Sequence, residues 1–65
     1  MWTVVYMTQN EESANTVANI LDEKKLLYKI RSVGEKYDKD SCFEVLVPET
    51  EINEAHNLII ENNLL

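Results

Sequence analysis

Residues Cys42–Pro48 read CFEVLVP. In an extended strand Phe43, Val45 and Val47 project to one side, and Cys42, Glu44 and Leu46 to the other. The first side is wholly apolar. The second carries Leu46 and a single charge. A segment apolar on one side and half apolar on the other fits the middle of a sheet. Pro48 ends it, because proline has no N–H for the ladder. The rest of the chain is read as packing around this strand.

Moving towards the N-terminus, residues 34–41, GEKYDKDS, are polar and hold the only glycine. They form a connection, and its length suits a hairpin. Residues 26–33, LLYKIRSV, precede it as another strand. Tyr28 and Ile30 share one face; Lys29, Arg31 and Val33 share the other. Residues 2–7, WTVVYM, are rich in β-branched and aromatic side chains and form the first strand. Between these strands, Ala14, Val17, Ala18 and Leu21 recur at helical spacing, with Ile20 at the margin. Thr8 with Glu11 spells a capping box, but Asn10 followed by Glu11 and Glu12 is the preferred N-cap. That helix is expected to end near Lys24 or Lys25.

Beyond Pro48, Thr50 is the expected N-cap of a second helix. Its apolar stripe is Ile52, Ala55 and Ile59, with His56 and Leu58 on the flanks. Asn62 and Asn63 are expected to fray its end. The order is then β-α-β-β-α. A crossover helix makes strands one and two parallel, and a hairpin makes strands two and three antiparallel. Both conditions are met by a three-stranded sheet in order 1-3-2 with both helices on one face. This is an α+β, ferredoxin-like arrangement without its last strand. With 65 residues, the expected count is one domain, 1–65.

Twelve acidic residues against six basic ones give a net charge of −6. Such a chain repels phosphate backbones and anionic lipid surfaces, so neither nucleic acid nor membrane is an expected partner. The single cysteine rules out an internal disulfide and suits a reducing cytoplasm. No apolar run is long enough to span a bilayer, and no secretory signal opens the chain. A cytoplasmic protein is expected. A domain this small buries a modest share of its surface, and a partner subunit is one of the usual remedies.

Candidate chemistry is sparse. His56 is the only histidine, with no nucleophile or carboxylate set beside it by the sequence pattern. Cys42 has acidic neighbours, Asp40 and Glu44, which disfavour a thiolate. Asp38 and Asp40 have the spacing of the first two ligands of a calcium loop, but the glycine and the acidic twelfth position are missing. No zinc cluster or phosphate-binding glycine loop is present. No catalytic residue, metal or cofactor is expected.

The sheet's second face says more. The first strand is apolar on both sides, and only one side can meet the helices. Assigning Val5 and Met7 inward leaves Trp2, Val4, Tyr6 and Leu46 on the open face. An apolar patch of that kind marks an interaction surface, although scattered aromatics on a solvated face are also tolerated. Tyr37, among the charges of residues 34–41, is a second candidate for contact with a partner.

The segments VVYMTQNEESA, LL before YKIRSV, and FEVLVPETEINEAHNLI give the chain a resemblance to a known family. It is similar, over nearly its whole length, to small bacterial domains of unknown function classed as prokaryotic signal-transducing proteins. These are related in fold to the nitrogen-regulatory PII proteins. The resemblance is carried by the Asn10 cap, the Ala14 stripe and the run from Val47 to His56. Relatives place glycine just before the second strand, where this chain has Lys25. PII proteins carry a long signalling loop between strands two and three, where this chain has only residues 34–41. The resemblance implies a non-catalytic regulatory or protein-interaction module, here expected to be a homodimer. The alternative is a small-metabolite sensor resembling the ACT-type regulatory domains. A small enzyme built on His56 and Glu49 or Glu51 is the least favoured reading.

Overall fold

The computed structural model describes residues 1–34 and 41–64. Its elements are β1 (Trp2–Thr8), α1 (Glu11–Glu23), β2 (Lys29–Val33), β3 (Cys42–Pro48), a 3₁₀ turn (Glu49–Glu51) and α2 (Ile52–Glu61). The three strands form one sheet in the order β1-β3-β2. Both pairings are antiparallel, so β1 and β2 run parallel, as a crossover through α1 requires. The α+β, ferredoxin-like β-α-β-β-α arrangement read from the sequence is the one observed.

β3 is central because it is apolar in both directions. Val45 and Val47 are fully buried against the helices. Ala14, Val17 and Leu21 from α1 and Ala55, Leu58 and Ile59 from α2 close over them in one core. Leu58, expected on the flank of α2, is part of that core. The expected stripe of α1 is its buried face, with Ala14, Val17, Ala18 and Leu21 all excluded from solvent.

Asn10 caps α1. Its Oδ1 accepts the Glu12 N–H at 2.8 Å, while its own N–H donates to Thr8 Oγ1 at 3.1 Å. At the other end Lys25 takes φ 60°. The Lys25 N–H donates to the Asp22 carbonyl at 2.9 Å and the Leu26 N–H to the Leu21 carbonyl at 3.0 Å. This is a Schellman ending with lysine where glycine is usual. It also corrects the start of the second strand. Leu26 closes the helix and packs in the core, so the strand begins at Lys29 rather than Leu26.

α2 ends the same way. Asn63 has φ 56°, and the Leu64 N–H reaches the Ile59 carbonyl at 3.1 Å. The expected fraying at Asn62 and Asn63 is replaced by an ordered cap, helped by Asn62 Nδ2 donating to the Leu58 carbonyl at 2.8 Å. The start of α2 also differs. Thr50 sits inside the 3₁₀ turn and does not cap the helix, which begins at Ile52. Two long-range hydrogen bonds hold this turn: the Glu49 N–H donates to the Met1 carbonyl at 2.8 Å, and Glu51 Oε2 accepts the Leu27 N–H at 3.2 Å.

The main correction lies in β1. Val4 faces Leu46, but the next partner, Val45, faces Tyr6. Val5 is the extra residue of a β-bulge, which shifts the alternation by one. Val5 is 8% exposed, and Tyr6 packs against the core beside it. Tyr6 therefore leaves the open face to which alternation assigned it. Met7, expected inward, moves out and is 58% exposed.

Gly34 follows β2 with φ +96°, and a Cβ there would stand 2.9 Å from Ser41 Cα. Both the dihedral and the close approach call for glycine. Tyr37, Asp38 and Asp40 lie outside the described residues.

Candidate functional site

The sheet face turned away from the helices is organised in rows. Val4, Leu46 and Lys29 stand side by side across the three strands; Met7, Glu44 and Arg31 form the next row. Trp2 opposite Pro48 lies before them, and Cys42 opposite Val33 beyond. Of the expected open-face residues, Trp2, Val4 and Leu46 are on it and Tyr6 is not. Met7 joins them.

Leu46 is only 3% exposed although no helix lies above it. Its cover comes from the sheet itself. Trp2 reaches in from β1 and Lys29 from β2, bringing Lys29 Nζ to 4.5 Å from the ring centroid. A cation over an indole face is attracted by the ring quadrupole. The lysine stem supplies apolar cover on the way. Lys29 was legible as facing the same way as Arg31 and Val33; its reach over the central strand was not.

Glu44 is also buried, at 7% exposure. Arg31 Nε donates to its Oε1 at 2.8 Å, and Arg31 Nη2 donates to the same oxygen. The arginine side chain remains 58% exposed, so the pair is half solvated. The carboxylate is thereby satisfied, and the face has no unpaired buried charge there.

Beside the exposed Lys29 and Arg31, three apolar side chains on this face stay exposed: Trp2 at 41%, Met7 at 58% and Val33 at 39%. The edges differ from the face. β2 is five residues long and carries Lys29 and Arg31, while β1 carries the bulge at Val5. Short length, charge and a bulge are ways of blunting an edge against further pairing.

Charge is also divided between the layers. Among the described residues, every acidic side chain except Glu44 lies in α1, the 3₁₀ turn or α2. The open face carries Lys29, Arg31 and Glu44. The negative charge of the described chain is thus concentrated on the helical side.

The remaining candidates are dispersed. His56 is exposed on α2, and Cys42 is half-buried at the start of β3. Among the described residues no three His, Cys, Asp or Glu side chains gather to hold a metal ion, and no pocket is enclosed. No described helix is long and apolar enough to cross a membrane. No family model, curated protein or solved structure matches the chain.

Proposed function

We propose that this chain is a small non-catalytic regulatory or interaction module that works as a homodimer, with the open sheet faces of two copies packed together. The observation that carries this reading is the division of the surface: exposed Trp2, Met7 and Val33 on a sheet face whose only acid among the described residues is paired, and the other described acids on the opposite layer.

Two chains of net charge −6 repel each other at most approaches. Face-to-face packing is the exception. Packed sheets lie about 10 Å apart, and the helices then sit on the far sides of both. The acidic layers are separated by more than the Debye length of about 8 Å at physiological salt, so their repulsion is screened. The blunted edges favour the face over strand addition. By strand spacing the face measures about 24 by 14 Å, smaller than a standard interface. A weak, concentration-dependent dimer is expected.

Sedimentation equilibrium across the micromolar range tests this. A mass rising from 7.6 kDa towards twice that value supports it. A constant monomer mass contradicts it, and a thermal shift with an amino acid or nucleotide would then favour the metabolite-sensor reading.

A further inference from the structure

Resting on that dimer, we infer that the Lys29 side chain is an autoinhibitory strap. In the single chain it lies over the apolar centre of the open face, and it swings out to the rim when a second copy docks.

Leu46 is the middle residue of the row Val4, Leu46 and Lys29, on a face that no helix covers, yet it is 3% exposed. Trp2 and Lys29 close over it from the two edge strands, with Lys29 Nζ 4.5 Å from the ring centroid. The ammonium thus stands over the middle strand. Face-to-face packing of two copies, whichever way they are turned, would enclose it between the sheets.

An enclosed ammonium needs a partner. Among the described residues the only acid on this face is Glu44, and it already accepts two N–H groups from Arg31. The Trp2 ring is what remains, and a cation–π contact returns less than desolvating the charge costs. β2 is an edge strand, and all five of its residues are exposed. The lysine stem has room to turn outward into water there, giving up the ring contact. That move uncovers Leu46 and the Trp2 ring. It adds apolar area to an interface that is otherwise small. The strap therefore keeps the single chain partly closed and the association weak.

The test is sedimentation equilibrium of the parent, Lys29→Gln, Lys29→Arg and Lys24→Gln. Glutamine has no ammonium to expel and is shorter, so the Lys29→Gln dimer should dissociate with a constant about two- to fivefold lower, the equivalent of an exposed cation–π contact. Arginine keeps the charge and also stacks on aromatic faces, so Lys29→Arg should be no tighter than the parent. Lys24→Gln makes the same change in net charge at the end of α1 and should not tighten the dimer. In the parent, proton NMR should show a ring-current shift at Lys29 Cε that fades in step with dimerisation. A Lys29→Gln dimer no tighter than the parent would overturn the inference, as would equal tightening by Lys29→Arg or Lys24→Gln. So would a Lys29 ring-current shift that persists in a fully dimeric sample. If the parent and Lys29→Gln both stay monomeric at every concentration, the dimer itself is contradicted, which keeps that failure separate from a wrong role for Lys29.

Discussion

Lys29 Nζ lies 4.5 Å from the centre of the Trp2 ring, although the two residues belong to the opposite edge strands of the sheet. The pair bridges β3 and closes over Leu46, the apolar centre of a face that no helix covers. A double-mutant cycle with Trp2→Leu and Lys29→Met isolates this contact, because both replacements keep apolar bulk. The coupling energy should be about 0.5–1 kcal/mol, in the range for an exposed cation–π pair. A coupling near zero in urea denaturation would mean that the lysine stem alone covers Leu46.

Lys25 holds φ 60° at the end of α1. A side chain in the left-handed region costs about 1–2 kcal/mol relative to the right-handed one, and glycine escapes most of this. Lys25→Gly should raise the denaturation midpoint with an unchanged m-value, a gain of about 1 kcal/mol. Asn63 has nearly the same dihedral, φ 56°, but asparagine tolerates it. Asn63→Gly should therefore give a smaller gain. Equal gains at both sites would contradict this account of strain.

Glu44 is buried and Arg31 satisfies it from the side open to water. Arg31→Met leaves the carboxylate without its charged partner. It should cost about 1–3 kcal/mol, the range for an unsatisfied buried polar group. Adding Glu44→Gln should recover part of that loss, since the amide is uncharged. If the double variant is no more stable than Arg31→Met, the pair contributes little to the fold.

Glu51 ties the start of α2 to the α1–β2 connection by accepting the Leu27 N–H. Glu51→Ala should destabilise by about 1 kcal/mol, and Glu51→Gln by less, because an amide oxygen can still accept. Thermal unfolding of the two variants checks the order.

These long-range hydrogen bonds also show where reading the sequence stops. The stripe of α1, the Asn10 cap and the two-sided character of β3 are local patterns, and they were legible. So was the end of α1 near Lys24 or Lys25, though the left-handed dihedral at Lys25 has no local pattern of its own. The start of α2 was not, because Glu49 and Glu51 are held by Met1 and Leu27, which no local pattern links to them. The bulge at Val5 was hidden for a different reason. Residues Trp2–Thr8 are apolar on both sides of the strand, so a shift of one position leaves no mismatch to notice. That shift exchanges Tyr6 and Met7 between core and open face. Trp2, Val4 and Leu46 were placed correctly because the first two precede the bulge and Leu46 lies on another strand.

Met7 now offers the most direct test of the central claim. It is 58% exposed, so Met7→Lys should leave the fold intact while placing a charge within the proposed interface. Sedimentation equilibrium of the parent and of Met7→Lys, at matched micromolar concentrations, is the decisive measurement. The account predicts a parent approaching twice the 7.6 kDa chain mass and a variant that stays at the monomer mass. A parent that remains monomeric, or a variant that dimerises as well as the parent, would contradict it.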